Sequence, residues 1–385
     1  MKKMRLLALL MAITMAVTSL SACSNDKNNS NSSKSADNNS SNSSDSDKIQ
    51  YDTELTIAIE GNKFMVKGEE IWMNGINTPW NNWNDFGGNY NYEYWADMFA
   101  ELKNQGINCT RVWITCSGDV GINFDENGFV TGATDEHWED LDSFFMYAAH
   151  NEIYVMATLI SFDHFKDANA NHMIWRNLVQ DSDKIDSYVN NYVIPFVERY
   201  DDNPYLWSID LCNEPDWVYE NDECGKLAWE DLGNYFARCA VAIHEKSNIL
   251  VTVGFGMVKY NSDLYSGDFS SNEFLQGCYA NEKAFVDFNS THYYNWEFQH
   301  FSSPFVNTPE SFGLDTTKPV VVGECGADGM ININDMTLSD CYKWCYENGW
   351  NGVMPWTTDG RESDGELKTL IAPAANDINE VINAK

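Results

Sequence analysis

The sequence predicts an α/β fold, a single barrel of eight parallel strands alternating with helices. Short apolar runs alternate with longer helical segments from about residue 70 onward, and no other internal repeat is present. Two of the apolar runs end in a glutamate, and in a barrel of parallel strands the carboxyl ends form the catalytic face. Residues 51–385 fit one barrel better than two domains, because such barrels run from about 200 to over 400 residues.

The boundaries of the predicted elements follow from turn residues and helix-ending residues. A turn at Lys67–Glu70 precedes the first barrel strand, and Gly106 ends the first helix. The predicted barrel strands comprise Ile71–Asn77, Ile107–Ile114, Tyr154–Ile160, 207–213, Ile249–Val253, Ala284–Thr291, 318–326 and Gly352–Trp356. The predicted helices comprise Tyr94–Gln105, Trp138–His150, Ile185–Tyr200, Leu227–Lys246 and Ser339–Glu347.

The amino-terminal residues predict export from the cell. A basic start precedes the apolar run Leu6–Val17, and the tetrapeptide ending at Cys23 has the form of a bacterial lipobox. The run is shorter than the roughly 20 apolar residues that span a bilayer. We therefore expect 1–22 to be a lipoprotein signal peptide and Cys23 to be the lipidated residue. The expected location is the extracellular face of the bacterial membrane, with the protein lipid-anchored or secreted.

The segment 23–50 separates this signal from the predicted domain at 51–385. After Cys23 it consists almost entirely of Ser, Asn, Asp and Lys, with no aromatic residue. Such a composition cannot bury enough apolar surface to offset chain entropy, so we expect a disordered tether.

The charge and composition limit the classes of partner. The formal net charge is −34, from 24 basic and 58 acidic residues, which would repel nucleic acid and anionic headgroups. We expect no nucleic-acid partner, and contact with a membrane only through the lipid anchor. The sequence also contains 14 Trp, 19 Tyr and 20 Phe, whose ring faces suit the apolar faces of sugars.

The ten cysteines do not predict a disulfide scaffold. Their spacing lacks the short pattern of stapled domains. Cys109, Cys212 and Cys325 lie on predicted strands and should be small buried hydrophobic residues. Spacing alone does not decide whether cysteines in loops, such as Cys224 and Cys278, form a bridge.

Two predicted strands end in acidic residues that could face each other. In the run 207–213 apolar and polar residues alternate, Glu214 follows, and Pro215 then removes a backbone donor. The β-branched run 318–326 carries Glu324 near its end. Because strands of one barrel end at the same face, these residues suggest a pair of carboxyl groups for acid/base chemistry.

The tripeptide Asn213-Glu214-Pro215 after an apolar strand resembles the acid/base signature of clan A glycoside hydrolases. These are retaining enzymes built on (β/α)8 TIM barrels, and the match is closest to glycoside hydrolase family five, the cellulase and mannanase family. The resemblance covers about residues 70–356. It implies that Glu214 is the acid/base, that Glu324 is the nucleophile, and that Asn213 contacts substrate.

Arg111 is a lone basic residue in the apolar second strand. Its buried charge needs an acidic partner, and a catalytic glutamate is the natural one. Arg111-Val112-Trp113 is similar to the form found in mannanases of the family, where the arginine supports the nucleophile. The third strand ends at Phe162-Asp163-His164, without the tryptophan of the Asp-Trp-His often found in the family's cellulases. Both features favour β-mannan over cellulose. His164 is expected to hydrogen-bond sugar hydroxyls.

Other strand ends carry further candidates for substrate contact. His292-Tyr293-Tyr294 resembles the family pattern in which the histidine lines the first subsite and the tyrosine hydrogen-bonds the nucleophile. Trp356 matches the position that stacks the sugar at the cleavage point. The expected substrate-binding residues comprise Trp80, Arg111, Trp113, His164, Asn213, His292, Tyr294, Trp296 and Trp356.

The resemblance implies a retaining, endo-acting β-1,4-glycanase that hydrolyses plant cell-wall polysaccharide, with β-mannan favoured. No metal or organic cofactor is required, and we expect a monomer. In a retaining mechanism, the pKa of Glu214 should be raised by the carboxylate of Glu324. One alternative is a β-1,4-endoglucanase of the same family. Another, of a different class, is a non-catalytic lipoprotein that binds carbohydrate.

Overall fold

A computed structural model describes residues 51–358 and 367–384. The eight parallel strands close into a barrel in chain order, which confirms the predicted fold class. Residues 1–50, with the predicted signal peptide, Cys23 and the tether, lie outside the described residues. The barrel strands are β1 (Met73–Asn77), β2 (Cys109–Trp113), β3 (Tyr154–Ser161), β4 (Leu206–Asn213), β5 (Leu250–Phe255), β6 (Asn289–Tyr293), β7 (Val320–Gly326) and β8 (Gly352–Trp356).

The helices surround the strands and cover their outward faces. Nearly every strand residue is buried, as expected when helices pack outside a parallel sheet. The α-helices are α1 (Tyr92–Asn104), α2 (Asp135–His150), α3 (His172–Val179), α4 (Ser182–Tyr188), α5 (Ile194–Tyr200), α6 (Pro215–Glu220), α7 (Trp229–Lys246), α8 (Asn272–Cys278), α9 (Phe298–Phe301), α10 (Ile331–Asn334), α11 (Leu338–Glu347) and α12 (Ala372–Asn383).

Most predicted elements differ from the structure by one to three residues at an end, and two differ by more. The single helix predicted over 185–200 is divided into α4 and α5 by a π-helical turn at Val189–Val193. Pro195 follows this turn and has no amide to donate to the preceding turn of helix. The predicted sixth strand, Ala284–Thr291, begins and ends later in the structure, at Asn289–Tyr293. Just before it, the Asp287 carboxylate accepts a hydrogen bond from the backbone N–H of Val251 at 2.7 Å.

A small antiparallel sheet covers the amino-terminal end of the barrel. Its strands are Ala58–Glu60, Lys63–Val66 and Glu69–Glu70. Phe64 is fully buried and packs edge-on against Trp207 and Phe288, with ring centroids 5.2 and 5.3 Å away. This sheet closes one end of the barrel, opposite the strand ends that carry Glu214 and Glu324.

The cysteines of the described residues are nine unbridged thiols. Cys109, Cys212 and Cys325 are buried on barrel strands, which confirms their prediction as core residues. Cys224 and Cys278 are not joined to each other. Within the described ranges, no helix has the length and apolar character needed to cross a membrane.

Candidate active site

The carboxyl ends of the strands surround a cleft of about 540 Å³. Glu214 follows β4 and Glu324 lies in β7, so the two predicted acids meet at the same end of the barrel. An oxygen of each carboxyl group lies within 4.8 Å of the other. The lining residues are Trp80, Trp83, Trp113, Phe162, Asp163, Lys166, Asn213, Glu214, Tyr294, Glu324 and Trp356.

Glu214 is held at a sharp change of direction between β4 and α6. Its backbone is left-handed, with φ 49° and ψ 57°, and its N–H donates to the carbonyl of Gly254 at 2.7 Å. Its Oε1 lies 3.0 Å from Nδ1 of His292, and its Oε2 accepts from the indole N–H of Trp217 at 3.0 Å. Both carboxyl oxygens therefore have a protein partner.

Burial raises the pKa of Glu214 to about 7, against the nearby positive charge of Arg111. This confirms the direction that the sequence predicts, but the cause is removal from water and not the charge of Glu324. A carboxyl group with such a pKa is protonated in a large fraction of molecules near neutrality, as a general acid requires.

Glu324 is also buried, with 4% of the residue exposed. Its Oε1 accepts from Nη1 of Arg111 at 2.6 Å, and its Oε2 accepts from the hydroxyl of Tyr294 at 3.0 Å. Burial raises the pKa of Glu324, and the positive charge of Arg111 opposes that rise. The carboxylate is thus fixed by two donors at the floor of the cleft.

Arg111 joins the two strand ends through a fully buried guanidinium group. Besides Glu324, it donates through Nε and Nη2 to Oδ2 of Asp210, at 3.0 and 2.7 Å. Nη2 also donates to Oδ1 of Asn213 at 2.8 Å, and Nη1 to Oδ1 of Asn77 at 3.2 Å. The acidic partner expected for Arg111 is therefore present. The Arg111 side chain itself has no exposed surface, so the expectation that it contacts substrate directly is corrected.

Asp210 is a member of the site that the sequence analysis missed. It is fully buried and forms the second acidic partner of Arg111. Its position among the inward-facing residues of β4, which share the barrel interior with the arginine of β2 two strands away, is the signal that could have indicated it.

His292 has no surface exposed to the cleft, so the expectation that it lines the first subsite is corrected. The residue is fully buried, its Nδ1 contacts Glu214, and its Nε2 has no partner. Burial lowers the pKa of His292 to about 4, so its ring is neutral near neutrality. The imidazole therefore orients the carboxyl group of Glu214 from below.

His164 likewise has no surface exposed to the cleft, contrary to expectation. It is fully buried, with Nε2 3.0 Å from Oγ1 of Thr115 and Nδ1 beside the backbone of Ser161. Its ring packs edge-on against Trp175 at 4.6 Å between centroids. Since both nitrogens have protein partners, neither is available to a sugar hydroxyl. The ring fixes the strand end that carries Phe162 and Asp163 into the cleft.

Three of the predicted tryptophans form one wall of the cleft. The ring centroids of Trp80, Trp113 and Trp356 lie 5.4 to 5.9 Å apart in edge-on pairs. Trp296 lies outside the lining set, with 49% of the residue exposed, and its ring is 6.5 Å from that of Trp217. Trp80, Trp113 and Trp356 therefore form an inner aromatic wall, whereas the Trp296 side chain lies exposed outside the cleft lining.

Glu214, His292 and Glu324 are also the group of described side chains placed closely enough to bind a metal ion. The Arg111 guanidinium contacts the Glu324 carboxylate at this point, and its positive charge opposes a cation there. The hydrogen bonds already described account for the arrangement of these side chains.

Comparison with known proteins confirms the resemblance predicted from the sequence. No protein-family model matches the chain. The mannan endo-1,4-beta-mannosidase of Cryptopygus antarcticus is 25% identical over 324 residues, covering 77% of this chain and 82% of the relative. That of Mytilus edulis is 24% identical over 343 residues, covering 82% of this chain and 91% of the relative.

A solved structure shows the same barrel. The endo-1,4-beta-mannanase of Eisenia fetida superposes with a TM-score of 0.74 at 22% identity, covering 84% of this chain and 95% of that chain. The likeness therefore extends over nearly the whole of both folds.

Proposed function

We propose that the protein is a retaining glycoside hydrolase that cleaves β-1,4-linked mannan at internal bonds. The observation that carries this proposal is the closeness of the two carboxyl groups, which have oxygens within 4.8 Å of each other. Retaining enzymes hold their carboxyl groups about 5–5.5 Å apart, whereas inverting enzymes need about 6.5–9.5 Å to admit a water molecule. The names of the two relatives support mannan as the substrate.

In the first step Glu324 attacks the anomeric carbon, and Glu214 donates its proton to the departing glycosidic oxygen. The C–O bond to the leaving sugar breaks as the ester bond to Glu324 forms. Arg111 and Tyr294 hold the attacking carboxylate through their 2.6 and 3.0 Å hydrogen bonds. The raised pKa of Glu214 keeps the proton available for this transfer.

In the second step Glu214, now ionised, accepts a proton from a water molecule. The oxygen of that water attacks the anomeric carbon of the glycosyl ester. Glu324 leaves as a carboxylate and Glu214 is protonated again, so the enzyme returns to its starting state. Two inversions yield net retention of configuration. Glu324 is the nucleophile and Glu214 the acid and base of both steps, and water supplies the second nucleophile.

A panel of mannan, glucomannan, carboxymethylcellulose and xylan, assayed with purified protein, tests the proposal. We expect release of reducing ends to be fastest on mannan or glucomannan, with the β-anomer formed first by NMR. Fastest hydrolysis of carboxymethylcellulose would instead support an endoglucanase. Binding without release of reducing ends on any of the four would support the carbohydrate-binding lipoprotein.

We also propose that the protein is a monomer held at the extracellular face of the bacterial cell membrane through lipid on Cys23, with secretion as the alternative. The lipobox-like sequence and the Ser/Asn-rich segment after it support this location. Cys23→Ala should release the protein from the membrane fraction, whereas removal of residues 1–50 should leave a soluble active enzyme. Retention of the Cys23→Ala protein on membranes would contradict lipid anchoring.

A further inference from the structure

Trp217 makes a direct hydrogen bond to the carboxyl group of Glu214. Its indole N–H lies 3.0 Å from Oε2, and the indole is half-buried beside the cleft. The backbone produces this contact, because α6 begins at Pro215 and one turn of helix returns residue 217 to Glu214. The backbone N–H of Trp217 also donates to the backbone carbonyl of Glu214 at 3.1 Å, and this bond closes the turn.

An indole N–H can donate a hydrogen bond but cannot accept one. Oε2 of Glu214 must therefore present a lone pair to Trp217 in every protonation state of the carboxyl group. This bond strengthens when the carboxyl group ionises, since a charge-assisted hydrogen bond is stronger than a neutral one. Trp217 thus stabilises Glu214 most after the proton has been transferred.

We propose that Trp217 is a positioning residue that orients the Glu214 carboxyl group and stabilises the negative charge that forms on it as it protonates the leaving group. This role rests on the proposed glycosidase function. A fixed donor directed at a developing charge lowers the barrier because it needs no rearrangement during the reaction. Trp217 is one of the residues that the sequence analysis did not single out.

The hydrogen bond from Trp217 to Glu214 lies among many other ionisable side chains. The ionisable groups facing Glu214 from the packed elements are Arg111 on β2, Asp163 and Lys166 after β3, Cys212 on β4, Asp216 on α6, His292 and Tyr294 at the end of β6, Glu297 after it, and Glu324 on β7. Burial raises the pKa of Glu214, while the hydrogen bond from Trp217 lowers it. Loss of that bond should therefore move the pKa of Glu214 further upward.

Trp217→Phe tests the proposal because it keeps an aromatic ring and removes the N–H donor. The basic limb of the kcat/KM profile on the preferred β-glycan should move up by about one pH unit. Below this limb, kcat/KM on the polysaccharide should fall between about threefold and tenfold, because a carboxyl group of higher pKa is a weaker acid and the proton is only partly transferred in the transition state. An aryl glycoside with a good leaving group should lose far less, since its departure needs little protonation.

Trp138→Phe is the matched control. Trp138 lies on helix α2, where its ring is packed against Tyr192 outside the cleft, and the substitution makes the same change of ring. We expect its pH profile and its ratio of polysaccharide to aryl glycoside activity to equal those of the wild type.

An unchanged basic limb in a folded Trp217→Phe variant would overturn the proposal, as would equal losses on both substrates. Trp217→Met, which also lacks the donor, is the second variant. If neither variant shows a cooperative thermal transition, Trp217 is a structural residue and the proposal fails. An inactive wild type on every glycan would instead reject the proposed function, so the two failures are distinguishable.

Discussion

Nη1 of Arg111 lies 2.6 Å from Oε1 of Glu324, and both side chains are almost fully removed from solvent. The same guanidinium group binds Asp210, so one buried cation balances two acidic side chains from two other strands. The attacking carboxylate of the proposed mechanism is therefore part of the internal packing of the barrel. Its stability and its reactivity depend on the same contact.

Replacement of Arg111 should show this dependence. Arg111→Ala leaves two buried acidic groups without their cation and should lower the free energy of unfolding by about 3–5 kcal/mol. Arg199→Ala, which removes a pair with Asp142 on the surface, should cost no more than about 1 kcal/mol. Urea unfolding of both variants measures the difference, and equal costs would contradict this account of the buried cluster.

The separate roles of Glu214 and Glu324 predict opposite products in the presence of azide. With an activated aryl glycoside, Glu214→Ala should still form the glycosyl ester but hydrolyse it slowly, so azide should accelerate turnover and yield the β-glycosyl azide. Glu324→Ala has no nucleophile, so azide must attack directly and yield the α-glycosyl azide. NMR of the products decides between the roles. The same anomer from both variants would require the assignment to be abandoned.

The raised pKa of Glu214 predicts a pH-dependent stability. Because the pKa is about 7 in the folded state against 4.5 for the ordinary group, the folded protein binds more protons between these pH values. This contribution to stability is fully present below pH 4.5 and is lost as the pH rises through 7. Its size is about 3 kcal/mol.

Glu214→Gln removes this titration while keeping a similar shape. The stability of the variant relative to the wild type should therefore increase between pH 5 and pH 8, as measured by urea unfolding. Glu126→Gln, which removes one carboxyl group from an exposed turn, is the control and is measured over the same pH range. A difference between Glu214→Gln and the wild type that does not vary with pH would contradict the raised pKa.

Trp356→Ala should lower turnover far more than stability. The ring is only half-buried at the end of β8, where one face is open to the cleft. Trp207→Ala is the comparison, because Trp207 is buried and stacked against Phe288 in the core, and its loss should cost about 3–5 kcal/mol. A thermal shift for Trp356→Ala as large as that for Trp207→Ala would show that Trp356 has a mainly structural role.

The sequence predicted much of the fold because the strands and helices of the barrel each follow from the pattern of neighbouring residues. The strand before Glu214 alternates apolar and polar residues and is followed by a proline, which places the glutamate at the strand end without any knowledge of distant contacts. The strand order also follows from the alternation of strands and helices, since each strand pairs with its successor. The sequence analysis missed the π-helical turn before Pro195, because α4, this turn and α5 together occupy the same stretch of chain as one continuous helix would.

By itself the sequence determined the barrel and the two facing glutamates, because their positions depend on short-range periodicity and on the residues that end each strand. Only the tertiary structure decided what surrounds those glutamates. His164 and His292 lie at strand ends, as predicted, yet packing buries both, so that one supports a loop and the other contacts Glu214. Asp210 gains its role from an arginine 99 positions away, and Trp217 from a single helical turn whose direction is set by the left-handed backbone at Glu214. Such roles depend on which side chains converge in space, and local pattern does not specify that convergence.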